Sequence, residues 1–326
     1  MLAAFKSLIK KLPIVRRFVA DRDQLHSANF ALNTELASRN AELTALKKDL
    51  RFAPPGHFYS PIPSLEEIRK AESRIFENVP RDVLGVDLRE SKQLKLLEEL
   101  VPYYADMPFQ PQKIDGLRYY FENAAYSYSD AVLLHCMIRF LKPARIIEIG
   151  SGFSSCVILD TNELFFDGAI ETAFIEPYPE LLMSLIKEKD RSAIRTIRHR
   201  LQDVDLNQFA ALAANDILFI DSTHVSKVDS DVNRVFFEIL PQLATDVYVH
   251  FHDIFYPFEY PKEWVFEGRA WNEAYMLRTF LQYNSAFCVV LMNSFMQRYH
   301  EPFFRERMPL CLQNPGGSLW MRKAGS

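Results

Sequence analysis

The chain has 326 residues, 48% hydrophobic and 25% charged, with a formal net charge of −4. That length supports a sizeable core in one large or two modest domains, and the charge excludes a global basic field that would recruit nucleic acid. Cys136, Cys156, Cys288 and Cys311 are scattered with no CxxC pair, which argues against a zinc site or disulfide framework and for a reduced, cytoplasmic protein.

Residues 1–20 mix Lys6, Lys10, Lys11, Arg16 and Arg17 with apolar residues, and Pro13 divides the stretch into two short helical segments. Such a basic amphipathic segment is read either as a peripheral membrane contact or as a terminus docked on a partner. It lacks the apolar core and cleavage site of a secretory signal. No apolar run approaches the roughly 20 residues that cross a bilayer.

Residues 21–50 contain neither Gly nor Pro. Leu32, Leu36, Leu43, Leu46 and Leu50 are spaced 4, 7, 3 and 4, alternating between heptad positions a and d. Leu25 is an earlier d and Asn29 an a, while Arg39 interrupts a d position. The pattern predicts a short coiled coil and a homo-oligomer, with a lone amphipathic helix as the alternative. Residues 51–63 hold four prolines and one glycine and read as a linker. Ser64 and Glu67 form a capping-box pattern. Residues 64–106 read as helical, and 64–128 as a helical cap region rich in aromatics toward its end.

From residue 129 the pattern changes. A helical stretch ends at Pro143. Strand-like runs then follow at 145–149, 171–176, 195–198, 216–220, 246–251, 286–292 and 318–323, most of them separated by helices. That alternation predicts an α/β domain over 129–326, built on a mostly parallel sheet. No clear helix joins the last two runs, which suggests an antiparallel edge pair.

The first run leads into Glu148-Ile149-Gly150-Ser151-Gly152-Phe153-Ser154-Ser155. Glycines here let a backbone approach a ligand, and the next helix aims its N–H groups at the strand end. Ser155 stands where the dinucleotide fingerprint has its third glycine. Glu148 is also uncharacteristic of a pyrophosphate site and suits a cationic or hydrogen-bond-donating ligand. Both features weigh against a nucleotide-dependent oxidoreductase. Glu176 ends the second strand, 26 residues after Gly150, where a carboxylate can accept from two ribose hydroxyls.

The acidic residue followed by GxG resembles the first motif of class I S-adenosylmethionine (SAM) dependent methyltransferases. GSGFSS is similar to one bacterial branch of that superfamily. The resemblance spans roughly residues 115–325. It implies a Rossmann-like sheet with an antiparallel last strand, a helical N-terminal extension and SAM as cofactor. Glu148, Gly150, Ser151, Gly152, Ser154, Ser155 and Glu176 would then line the cofactor, with Asp203, or alternatively Asp205, facing its adenine.

Asp221 and His224 follow the fourth long apolar run, and His252 and Asp253 close the fifth. Strand alternation puts His250 and His252 on one face. These strand ends resemble metal-dependent sugar and macrolide O-methyltransferases, which implies His224 as general base and a divalent metal on Asp221, His252 and Asp253. His252 departs from the usual acidic pair. Magnesium prefers oxygen donors, while imidazole suits zinc, iron, nickel or manganese. A reference pKa near 6.5 would leave a fair fraction of His224 neutral and able to accept a proton.

Tyr120 precedes the first strand and could cover the pocket. Residues 254–275 form a long aromatic segment carrying Trp271, Asn272 and Glu273, a candidate lid over a glycan or small-molecule acceptor. A non-catalytic scaffold on the same fold is the other reading, opposed by the intact acidic loop.

Overall fold

A computed structural model of the protein describes residues 13–49 and 52–325. The chain divides into two units, residues 1–70 and 71–326.

In the first unit, helix α1 runs unbroken from Pro13 to Asp49. Proline fits a first helical turn because its missing N–H has no intrahelical partner there. Residues 1–12 of the basic segment and Leu50 of the heptad pattern lie outside the described residues. On α1 the large apolar side chains Phe18, Leu25, Phe30, Leu32 and Leu36 are all exposed. Farther on, the Ser64 hydroxyl accepts the Glu67 N–H at 3.3 Å and caps the short helix Leu65–Lys70. No helix among the described residues is long and apolar enough to cross a membrane.

The second unit is built on a seven-stranded sheet in the order β3-β2-β1-β4-β5-β7-β6. The strands are β1 (Arg145–Ile149), β2 (Glu171–Ile175), β3 (Arg195–Ile197), β4 (Ile217–Ile220), β5 (Tyr248–His252), β6 (Phe287–Met292) and β7 (Ser318–Lys323). The first five are parallel, and β7 runs antiparallel between β5 and β6. This is the mostly parallel sheet that the alternation of runs predicts, with the Rossmann-like order and antiparallel last strand that the resemblance implies.

Two segments depart from the sequence reading. Residues 64–106 are not one helical stretch: a π-turn at Ser73–Glu77 gives way to irregular chain before helix α2 (Glu90–Ala105). Pro80 and Gly85 fall in that break and disfavour helix there. Between β6 and β7 lie two seven-residue helices, Asn293–Tyr299 and Glu301–Arg307. Each is too short to show a helical period in sequence.

Helix α3 (Tyr128–Leu141) is the hub of the packing. Residues 131–138 are completely buried on every side, which suits a helix apolar all round. Helix α4 (Phe153–Phe166) follows β1 and carries the loop residues at its start.

Candidate active site

The strand order reverses between β1 and β4, the place where open α/β sheets bind ligands beyond their carboxyl ends. Two loops meet there. The Asp221 N–H donates to the Ile149 carbonyl at 2.9 Å, and the Gly150 N–H to the Ile175 carbonyl at 3.0 Å. Gly150 has φ +86°, and a Cβ there would overlap the Asp221 carbonyl oxygen. Glycine is therefore required by the crossing of the two loops, whatever else it does.

Glu148 is completely buried, and both oxygens are occupied. Ser154 Oγ donates to Oε1, and Ser155 Oγ to Oε2 at 2.6 Å. Ser155 Oγ also accepts the Gly152 N–H at 3.0 Å. Burial pushes the carboxyl up to about 8, against the pull of Ser154 and Ser155. Through these bonds Glu148, Ser154 and Ser155 brace the loop. The Ser151 hydroxyl differs, being buried with no hydrogen-bond partner. Such a group calls for one.

Glu176 follows β2, and its Oε1 accepts the Tyr178 N–H at 2.8 Å. Asp203 sits in the 3₁₀ turn Leu201–Asp203, half-exposed and paired with Arg200 at 3.2 Å. Asp205 caps the next turn through the Asn207 N–H at 3.0 Å. Tyr120 packs edge-on against Phe153 at the start of α4, with ring centroids 5.7 Å apart.

At the ends of β4 and β5, Asp221, His252 and Asp253 converge, each with a ligand-type atom within 4.8 Å of the others. His252 continues strand alternation beside His250. Asp253 leaves it, with φ +57°, and so turns into the same crevice. His224 is also left-handed, at φ +60°. Its Nδ1–H donates to Glu273 Oε2 at 2.8 Å. Its Nε2 lies 3.4 Å from Asp221 Oδ1 and 3.5 Å from Asp253 Oδ2. Non-glycine residues held this way cost of order 1–3 kcal/mol each and cluster at functional sites.

These charges set the protonation. Burial lowers the pKa of His224, but Asp221 and Glu273 outweigh it and hold the imidazole at about 10. Burial likewise opposes His252, and Asp253 and Asp221 raise it to about 10. Burial would push Asp221 up, yet His252 and His224 hold it well below the usual carboxylate range. With nothing else bound, His224 is thus cationic at neutral pH. The reference value near 6.5 does not describe it, because carboxylates face both of its ring nitrogens.

Trp271 stacks obliquely on His224 at 4.4 Å between ring centroids. Glu273 is fully buried and accepts from Ser222 Oγ at 2.9 Å as well as from His224. Asn272 Oδ1 accepts the Ser226 N–H at 2.6 Å, and its Nδ2 donates to the Ser226 carbonyl at 3.3 Å. Asn272 and Glu273, the residues expected to meet substrate, pin the His224 loop through these bonds. Along the same wall Trp264 packs edge-on with Trp271 and with Phe255, and Arg269 lies 4.3 Å over the Trp264 ring. Beyond Phe255, a cavity of about 600 Å³ opens between Phe76, Tyr256, Tyr260, Gln297 and Asn314.

Sequence reasoning missed Asp130 and Arg118. Asp130 lies in the first turn of α3, accepts from Gly317 N at 3.0 Å and Asn293 Nδ2 at 2.8 Å, and lies 3.9 Å from His252 Nε2. Arg118 is buried and pairs with Asp160 on α4 and with Asp190. These partners lie far apart in sequence, so no local pattern announces them.

Residues 147–254 match the family model described as a methyltransferase domain. The chain is 41% identical over 167 residues to an uncharacterised protein of Archaeoglobus fulgidus, covering 50% of this chain and 75% of that protein. Among solved structures it is similar to the methyltransferase PaMTH1 of Podospora anserina bound to S-adenosylhomocysteine (SAH), with TM-score 0.40, 14% identity, and coverage of 82% and 99% of the two chains. It is also similar to the O-methyltransferase TomG of Streptomyces achromogenes, involved in tomaymycin synthesis, in complex with SAM. There the TM-score is 0.41, the identity 16% and the coverage 79% and 96%. The sheet is Rossmann-like, and the matched methyltransferase domain lies within it. The methyltransferase-domain match covers β1 to the end of β5, the part of the sheet that carries the Gly150 loop, Asp221 and His252.

Proposed function

We propose that the protein transfers the methyl group of SAM to a hydroxyl oxygen of a glycan or small polyhydroxylated metabolite. The observation that carries this reading is the meeting of Asp221, His224 and Asp253 across the β1/β4 switch from the Gly150 loop. Bound SAM supplies an electrophilic methyl group on a sulfonium. The transfer is an in-line displacement, so positioning does much of the work.

On this reading Ser151 and the free oxygen of Glu176 hold the cofactor, and Tyr120 covers it. The acceptor hydroxyl lies between Asp221, His224 and Asp253, with its body against Trp271 and the aromatic wall. His224 Nε2 takes the hydroxyl proton once the charge on Asp221 and Asp253 is offset, while Glu273 keeps the other nitrogen protonated and the ring in place. The donor set of Asp221, His252 and Asp253 fits a divalent cation, which would lower the pKa of the acceptor hydroxyl. We further propose that α1 joins two copies of the chain. The four free thiols suit a cytoplasmic setting.

Calorimetric titration of the full chain with SAH tests the reading. We expect saturable binding that Glu176→Ala weakens roughly 10- to 100-fold, the loss of a charged hydrogen bond, without unfolding the protein. Binding of NAD in place of SAH, or an affinity indifferent to Glu176, would overturn it.

A further inference from the structure

We propose that Asp221, His252 and Asp253 form a metal centre selective for a borderline transition-metal dication over magnesium, with His252 as the discriminating ligand and Asp130 as the residue that positions it. The inference deepens the methyl-transfer reading and rests on it for the centre's purpose.

The spacing of the groups carries the argument. His252 Nδ1 lies 3.4 Å from Asp221 Oδ1 and 3.7 Å from Asp253 Oδ1. An imidazolium that merely neutralised the two carboxylates would close to the 2.7–2.9 Å typical of a charge-assisted hydrogen bond, roughly. His224 does so with Glu273, at 2.8 Å, in the same site. Separations near 3.5 Å are long for hydrogen bonds but suit ligand atoms flanking one ion at about 2.0–2.2 Å.

The ring cannot turn away to find a better partner. His252 is nine-tenths buried, with Tyr126 at 5.0 Å and the nearly parallel ring of His250 at 6.3 Å. Its Nε2 faces Asp130 Oδ2 at 3.9 Å. Asp130 is itself fixed by Gly317 and Asn293. A carboxylate behind the non-ligating nitrogen is the usual outer support of a metal-bound histidine. His224 flanks the same two acids but stands outside the trio that converges within 4.8 Å.

Magnesium dehydrates reluctantly and favours oxygen donors. One imidazole among three protein ligands tilts the site toward the manganese-to-zinc series.

The test uses the full chain, stripped with chelator and dialysed, titrated separately with cobalt(II) and magnesium, and with SAH alone. Cobalt should bind at least about 10-fold tighter than magnesium and show a d–d absorption band. His252→Asp should reduce or reverse that preference and shift the band. Asp130→Asn should weaken cobalt binding about 10- to 100-fold and leave SAH affinity unchanged. Equal affinities, no saturable cobalt binding by a protein that binds SAH, or an unchanged preference in folded His252→Asp would overturn the proposal. If cobalt preference holds while SAH fails to bind, the methyl-transfer reading falls and the metal assignment stands.

Discussion

Glu273 grips His224 Nδ1 at 2.8 Å although 49 residues separate them, and Ser222 steadies the other carboxylate oxygen. The contact raises the imidazole pKa and fixes which nitrogen faces Asp221 and Asp253. Glu273→Gln keeps the shape and removes the charge. We expect the His224 imidazole to titrate at least about one unit lower by NMR in the variant. Turnover should fall while the KM for SAM stays near the parent value, because Glu273 does not touch the cofactor loop. An unshifted titration would show that Asp221 alone sets the histidine.

Gly150 provides a test of the loop crossing. Alanine at φ +86° is strained, and its Cβ would overlap the Asp221 carbonyl. We expect Gly150→Ala to cost at least about 2 kcal/mol, combining left-handed strain with displacement of the Asp221 loop. Urea unfolding measures it. A loss under half that size would mean that the two loops separate more easily than their packing implies.

Much of this site is legible in sequence for a definite reason. Parallel strands covered on both faces read as short apolar runs, and ligand-binding side chains stand at their carboxyl ends. Asp221, His252 and Asp253 are therefore visible as strand-end residues. Glu148 is visible too, but its burial against Ser154 and Ser155 is not, because acid–GxG describes composition and not the direction of a side chain. Glu273, Asn272 and Asp130 are supports reached through tertiary folding. Asn272 and Glu273 are legible as polar residues of an aromatic segment, but their bonds to Ser226 and His224 are not.

Buried His135 gives a pH dependence of stability. Its Nδ1 lies 2.9 Å from Thr161 Oγ1, and burial, aided by Arg139, lowers its pKa to about 3. The unfolded value is near 6.5. A base whose folded pKa is depressed contributes stability that is present above 6.5 and lost as pH falls toward 3. His250, also buried and pushed well below its ordinary value, acts in the same direction. We expect these two histidines to lower the urea midpoint between pH 6.5 and 5, against Glu148, whose raised pKa favours the folded state as pH falls over the same range. His135→Gln should make that drop shallower. An identical slope in the variant would mean that His135 is not held neutral.

Helix α1 predicts an assembly with a definite direction. Phe18, Leu25 and Leu32 occupy d positions and Leu36 and Leu43 a positions, all exposed in the single chain. With Asn29 at a, the acids Asp21, Glu35 and Glu42 fall at g, while His26, Asn33 and Asn40 fall at e. In a parallel pair each g residue faces the e residue five places on in the second copy, setting Asp21 against His26 and Glu35 against Asn40. An antiparallel pair would set g against g, acid against acid. Parallel pairing thus avoids like-charge contacts between the g and e flanks, although Arg22 and Arg39 each meet their own copy in the seam, and a pair of facing Asn29 side chains would fix its register. We expect the full chain to be a dimer in light scattering and Leu32→Asp/Leu36→Asp to be monomeric. Leu43→Cys, distant from the helix midpoint, should form an interchain disulfide on mild oxidation, because only parallel, in-register helices bring the two copies of position 43 together. A dimer that survives the double aspartate variant would place the interface elsewhere. A dimer lost in that variant but not cross-linked through position 43 would reverse the orientation argued from Asp21, Glu35 and Glu42.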